Sequence, residues 1–318
     1  MRPDLPGDAM ERSYILHMFT PGAQASPFDV NMAVDAGYQV VTPYCQVTLD
    51  GVAGLTQDAI FSRGPKGVRR TGIFIGGRDV AIAADMLERA RAAMVPPFAV
   101  SLFADPSGAY TTAAALVACA EAALRRHHGT DLNGRRVLLL GGTGPVGRIA
   151  AVLCAQAGAT AVLGSHKGRD AADAAASETG RRFDTVLASA STRTRPELRE
   201  ALAQADIVMG VAAAGVQVMD EDDRADAPLL RVAADVNAVP PAGLAGVGPM
   251  DDARLIDGTQ VVAIGALAIG NVKYQVQNRL LSRMRESDRP ECFGFEEAFE
   301  VARGLLAERA QPGDAASP

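Results

Sequence analysis

Cysteine is scarce and scattered. The 318-residue chain has four, at Cys45, Cys119, Cys154 and Cys292, and no two of them form a C-x-x-C pair. Neither a zinc site nor a disulfide framework is indicated, and buried reduced thiols are expected. A positive charge excess is also lacking. The 31 Lys and Arg stand against 37 Asp and Glu, a formal charge of −6, which offers nucleic acid no basic face. No apolar run approaches the roughly 20 residues that span a bilayer, and Met1 to Met10 contains no apolar signal-peptide core. A cytoplasmic protein is expected, with neither membrane nor nucleic acid as partner. The Pro- and Asp-rich opening and the tail Gln311 to Pro318 read as frayed ends. Internal repeats and low-complexity core segments are absent.

Core material is not limiting: 48% of residues are hydrophobic and 21% charged, ordinary for a soluble protein. A chain of 318 residues exceeds one ordinary domain. Short apolar strands alternate with helical runs, the pattern of parallel α/β architecture. Strands are expected at Tyr14 to Met18, Gln39 to Thr42, Thr71 to Ile75 and Ala99 to Phe103, with helices at Pro27 to Ala36, Val80 to Ala93 and Tyr110 to Arg126. These make a first α/β domain over 12–130, ending in a polar hinge at His127 to Gly134. A second domain over 131–269 has strands near 137, 160, 185, 207, 232 and 262. Helices at Ala268 to Arg285 and Phe295 to Ala310 follow, and at least one is expected to pack back on the first domain, completing it with about 270–310. A ligand-binding cleft then lies between the domains.

The densest signal is Arg135-Arg136-Val-Leu-Leu-Leu-Gly141-Gly142-Thr143-Gly144-Pro145-Val146-Gly147, an apolar run that meets a glycine turn and becomes helical. It reads as the dinucleotide-binding βα turn of a Rossmann-type doubly wound parallel sheet. Gly142 serves the tight turn, Gly144 lets backbone approach a pyrophosphate, and Gly147 lets the helix pack close to its strand. Thr143 and Val146 complete the loop. Pro145 suits a first helical turn, where its missing N–H costs nothing, and the helix N-terminus attracts phosphate. The tip of the second strand decides the cofactor. There Gly164-Ser165-His166-Lys167-Gly168-Arg169 has no carboxylate before Asp170 to hold a ribose 2′-hydroxyl. Ser165, His166, Lys167 and Arg169 suit a 2′-phosphate, favouring NADP over NAD. Alternatively, the segment is a solvated turn. Ala212, within Gly210-Val-Ala-Ala-Ala-Gly215, is small enough for a nicotinamide ribose to approach, or for helix and sheet to pack tightly.

Further blocks carry a family resemblance. Ser26-Pro-Phe-Asp29-Val-Asn31-Met-Ala-Val-Asp35-Ala-Gly37, Leu55-Thr-Gln-Asp58-Ala-Ile-Phe-Ser-Arg63, Thr71-Gly-Ile-Phe-Ile-Gly-Gly77 and Asp105-Pro-Ser-Gly108-Ala-Tyr-Thr111-Thr112 resemble methylene-tetrahydromethanopterin dehydrogenases of methylotrophic bacteria. So do Ala234-Asp235-Val-Asn237-Ala-Val-Pro240-Pro241-Ala-Gly243 and Ile264-Gly265-Ala-Leu-Ala-Ile-Gly270-Asn271-Val-Lys273-Tyr274. The resemblance runs from about residue 13 to 305. It implies oxidation of methylene-tetrahydromethanopterin to the methenyl form with hydride passing to NADP or NAD, and a homo-oligomer. A tetrahydrofolate-linked dehydrogenase and a non-catalytic NAD(P)-sensing module remain alternatives.

The implied reaction needs no metal and no Ser-His-Asp arrangement, because the donor carbon lies between two nitrogens that stabilise the cation formed. Asp29, in the opening turn of a helix, either serves the cleft or caps that helix. Asp105, Thr111 and Thr112 lie in a strand-to-helix connection, either at the ligand edge of the sheet or in an ordinary turn. Asp235 and Asn237 occupy a stiff loop that holds the nicotinamide or the pterin, or satisfies its own backbone. Lys273, in a helical stretch opening after Gly270-Asn271, resembles the lysine of the family's pterin cleft and is expected opposite Asp29. Of the histidines, only His166 has a ligand role.

Overall fold

In the computed structural model, which describes residues 12–310, the sequence divides between two parallel sheets. Both chain ends read above as frayed lie outside the described residues. The first half runs β1 (Ile15–Phe19), α1 (Pro27–Asp35), β2 (Val40–Tyr44), α2 (Gly51–Phe61), α3 (Pro65–Val68), β3 (Thr71–Ile75), α4 (Val80–Ala92), β4 (Ser101–Ala104) and α5 (Ala109–His128). The second runs β5 (Arg136–Leu140), α6 (Pro145–Gln156), β6 (Thr160–Ser165), α7 (Arg169–Arg182), β7 (Ala188–Ser191), α8 (Arg195–Leu202), β8 (Ile207–Gly210), α9 (Glu221–Ala225), β9 (Val232–Asp235), β10 (Arg254–Leu255) and β11 (Val262–Ile264). The chain ends with α10 (Ala266–Glu286), β12 (Cys292–Phe293) and α11 (Phe295–Ala310).

The first sheet has the order β12-β4-β3-β1-β2, all parallel. The second has the order β10-β11-β9-β8-β5-β6-β7, parallel except for the edge pair of β10 with β11. Without β10 this is the doubly wound Rossmann order, with its switch point between β5 and β8. The apolar runs expected of strands covered on both faces are buried throughout: every residue of β3, β8 and β9 is buried.

Helix α5 explains why the two sheets share one core. Its alanine-rich face is small enough to be enclosed from nearly all sides, and it packs against α6, α10, α11, β9 and β11. One continuous apolar cluster therefore extends from Leu16 in the first sheet to Ile264 in the second. The expected hinge is corrected accordingly. His127 and His128 belong to the last turn of α5, where basic side chains favour the helix dipole. The helix stops only at Gly129, in the left-handed conformation with φ 61°.

Both terminal helices return to the first half. Helix α10 packs on α1, α5, β3 and β4, and α11 on α5 and α10. Between them the two-residue β12 adds a fifth strand to the first sheet beside β4. Helix α10 opens at Ala266, so Gly270 and Asn271 are interior to it rather than preceding it. The strand expected near 185 begins at Ala188.

Candidate active site

The glycine turn divides its roles as the spacing requires. The Gly142 N–H donates to Leu139 O and Gly164 O, each at 3.1 Å, closing the turn on two strands. A Cβ at Gly147 would lie 2.6 Å from the Gly142 Cα, so glycine there lets α6 rest on the turn. Gly144 differs. A Cβ there would meet nothing nearer than Gly141 O at 3.6 Å, because Gly144 faces a cavity of about 760 Å³ at the N-terminus of α6. Such an open cradle fits a pyrophosphate. Thr143, Pro145 and Ala212 line the same cavity, while Val146 packs against the core. Gly141 was missed by the motif. Its φ is +79°, and a Cβ would fall 2.6 Å from the Ala212 Cα, which ties the turn to the chain leaving β8.

At the tip of β6, His166 and Lys167 are exposed and line the cavity. Ser165 is buried, and its Oγ accepts from the Lys167 N–H at 3.2 Å, so it shapes the turn. The Arg169 Nη1 donates to Ser189 O at 3.0 Å, turning it towards β7. Thr192, Thr194 and Arg195 complete this wall. Sequence reading missed them because they follow the third strand of the unit, far from the glycine motif. Arg193 has its Cδ 3.7 Å from the position of a Gly168 Cβ.

Asp235 and Asn237 bond the backbone of their own loop, and Asn237 also that of Gly215 after β8. The Asp235 carboxylate accepts from the N–H groups of Asn237 and Leu244, each at 3.0 Å. Burial raises its pKa, and backbone N–H groups oppose that rise. Asn237 Oδ1 accepts from Gly215 N at 3.1 Å and Val239 N at 3.0 Å, and its Nδ2 donates to Pro241 O at 2.7 Å. Neither residue lines the nucleotide cavity.

A second cavity, about 600 Å³, opens at the carboxyl ends of β1 and β3, with Thr20, Ser26, Asp29, Gly76, Gly77 and Arg78 among its walls. Asp29 lies in the first turn of α1, yet the N-cap is Ser26, whose Oγ is 3.5 Å from the Asp29 N–H. The Asp29 carboxylate instead accepts from the Gln277 Nε2 at 3.0 Å. Gln277, completely buried on α10, also accepts at Oε1 from the Lys273 Nζ, at 2.6 Å. Lys273 and Asp29, expected on opposite sides of a ligand, are thus joined through Gln277 in one hydrogen-bonded network, of which Asp29 lines the cavity. The Lys273 Nζ is also 3.7 Å from the centroid of the Phe28 ring, a cation–π contact.

Asp105 acts on this network through its charge. It is completely buried and accepts from the Tyr110 N–H at 3.0 Å, the Thr111 N–H at 3.1 Å and the Thr111 Oγ1 at 2.7 Å. Thr112 Oγ1 donates to Gly108 O at 2.6 Å. The left-handed Gly108, φ +69°, has no Cβ to meet the Lys273 Cε, which would lie 3.2 Å away. Burial, then the charge of Asp105, push the Asp29 pKa up to about 7, against the pull of Gln277 and Lys273. Burial raises Asp105 as well, opposed first by Lys273, and lowers Lys273, opposed by the two aspartates. His17, inside β1, is bonded to the Tyr44 hydroxyl at 3.1 Å, as a packed strand histidine would be.

The family model described as methylene-tetrahydromethanopterin dehydrogenase, N-terminal, matches residues 27–107, the segment holding Asp29 and Asp105. The NAD(P)-dependent methylenetetrahydromethanopterin dehydrogenase of Methylorubrum extorquens is 46% identical over 298 residues, covering 92% of this chain and 98% of the relative. The chain belongs to the methylene-tetrahydromethanopterin dehydrogenase family.

A second protein of the same organism, named bifunctional protein MdtA, is 33% identical to this methylene-tetrahydromethanopterin dehydrogenase family member over 291 residues, 92% of this chain and 98% of that one. Among solved structures, ornithine carbamoyltransferase from Pyrococcus furiosus aligns with a TM-score of 0.50 at 12% identity, covering 86% of this chain and 84% of that one. That likeness concerns the fold alone. Among the described residues of this family member, no helix is long and apolar enough to cross a membrane. Gln277 is a further residue that sequence reading missed, and its local signal is its spacing of four from Lys273.

Proposed function

We propose that this protein oxidises methylene-tetrahydromethanopterin to methenyl-tetrahydromethanopterin, with hydride passing to NADP⁺ or NAD⁺ and NADP⁺ preferred. The observation that carries the reading is the open cradle at Gly144, paired with the hydrogen-bonded Asp29–Gln277–Lys273 arrangement, whose Asp29 lines a second cavity. A nucleotide cradle and a neighbouring set of fixed polar groups suit direct hydride transfer between two rings. Support for the pterin carrier comes from the 46% identical relative.

In this reading, 131–269 binds the nucleotide, and 12–130 with the terminal helices binds the pterin. Backbone N–H groups at Thr143 and Val146, beside the open Gly144 at the N-terminus of α6, hold the pyrophosphate, and Pro145 sets the first helical turn without donating. Ala212 leaves room for the ribose, and Asp235 and Asn237 act by stiffening the loop near the nicotinamide. Bound NADP⁺ supplies the hydride acceptor. His166 and Lys167 hold the 2′-phosphate, and Arg193, beside Gly168, is a better third cation than Arg169, whose guanidinium is already bonded to Ser189. Asp29 stabilises positive charge as the methenyl group forms. Lys273 orients the pterin, Asp105 keeps the lysine charged in its buried setting, and Thr111 and Thr112 hold Asp105 and the turn in place.

Absorbance of reduced nucleotide, followed with methylene-tetrahydromethanopterin and methylene-tetrahydrofolate in parallel, tests the assignment. Faster turnover of the methanopterin carrier with NADP⁺ is expected. Preferential turnover of the folate would overturn the carrier, and binding of nucleotide without turnover of either would leave a sensing module.

A further inference from the structure

We infer that Gln277 is a positioning residue for hydride transfer, whose amide fixes the Asp29 carboxyl and the Lys273 ammonium in one hydrogen-bonded network. The inference deepens the reaction proposed above and rests on it.

Gln277 follows Lys273 by four residues on α10, so both side chains rise from one helix face. A primary amide carries an acceptor at one end of a rigid plane and donors at the other. Here each end meets the charge it suits: Oε1 faces the Lys273 ammonium at 2.6 Å, and Nε2 faces the Asp29 carboxylate at 3.0 Å. Reversal would set donor against donor and acceptor against acceptor, so the network admits one orientation. Complete burial of Gln277 leaves no water to replace either bond, and an unmatched polar end there would be costly. The amide therefore transmits a fixed polarity from α10 to α1.

The groups facing Asp29 come from three places. Ser26 lies in its own helix turn, Asp105 in the connection between β4 and α5, and Lys273 with Gln277 on α10. Asp105 repels the Asp29 charge, whereas Lys273, Gln277 and Ser26 favour it. Of the groups favouring it, Gln277 acts most strongly. A change at Gln277 should therefore be read in the titration of Asp29, which a merely space-filling residue would not affect.

Gln277→Glu tests this, because it keeps the shape and replaces the donor facing Asp29 by an acceptor. Two carboxyls sharing a site cannot both ionise easily. The midpoint of the acid limb of kcat for the pterin is expected to move alkaline by about one pH unit or more, with kcat near neutrality down about tenfold. KM for the nucleotide should stay unchanged. Gln277→Asn, too short to span both partners, should lower kcat as well, and it serves if the glutamate variant fails to fold. An unmoved midpoint with kcat within twofold of wild type would overturn the inference. ¹³C NMR of the aspartate carboxyls, with Asp29→Asn to assign the signal, follows the same titration without turnover. The inference thus stands or falls on that midpoint even if the wild-type enzyme does not oxidise the pterin.

Discussion

Gln277 donates to Asp29 across 3.0 Å, although 248 positions separate them in the chain. The bond exists because α10, coming after the whole nucleotide-binding sheet, turns back and packs against α1. It joins the last long helix but one to the first helix at the wall of the proposed pterin cavity.

Asp29→Asn should lower kcat about 10²-fold, the scale of losing one preorganised electrostatic group, with little effect on nucleotide affinity. With the wild-type carboxyl held up to about 7, activity should rise as pH passes through neutrality, and the variant should lose that limb. Stability gives an independent check. A carboxyl whose folded pKa exceeds its ordinary 3.8 binds a proton more tightly folded than unfolded, so its stabilising contribution is complete below about pH 4 and is lost as pH rises through about 7. The asparagine variant should therefore gain thermal stability relative to wild type from acidic to alkaline pH. Melting curves and steady-state rates across that range measure both effects.

Lys273→Ala should mainly raise KM for the pterin. The central step moves no proton, and the ammonium is held between the Gln277 amide and the Phe28 ring, a placement suited to orienting a ligand. Loss of a titrating limb from the pH–rate profile of this variant would instead assign the lysine to proton transfer.

Gly144→Val should abolish nucleotide binding and leave the protein folded. A Cβ at this position meets only Gly141 O, at 3.6 Å, so the larger side chain enters the cavity rather than the core. The same change at Gly147 would collide with Gly142 and unfold the turn. Titration with NADP⁺ and NAD⁺, alongside circular dichroism, separates the two variants.

Replacing His166 and Lys167 together by Ala should weaken NADP⁺ more than NAD⁺, by about 1–3 kcal/mol if charge-assisted bonds to a 2′-phosphate are lost. Both side chains are exposed and line the nucleotide cavity. Equal losses for the two nucleotides would make the cluster a solvated turn.

Local pattern was enough for much of this protein. The run Val137 to Leu140 followed by Gly142, Gly144 and Gly147 specifies a buried parallel strand, a tight turn and a close-packed helix, because strand burial and glycine sterics act within a few residues. The same holds for the alternation that yields two parallel sheets, and for Asp29 in a first helical turn. Tertiary structure decided what depends on remote segments. Nothing near Cys292 and Phe293 announces a strand, since two residues become one only by pairing with β4. His127 and His128 read as a polar linker, but α5 runs through them to Gly129, and the His128 Nε2 lies 3.2 Å from the O of Arg231, 103 positions further on. Asp29 could have been a cap; Ser26 takes that place, and Gln277 turns the carboxyl into the wall. Charge, burial and hydrogen-bond partners at the site are properties of what surrounds a side chain, and helix packing across the chain supplies those surroundings.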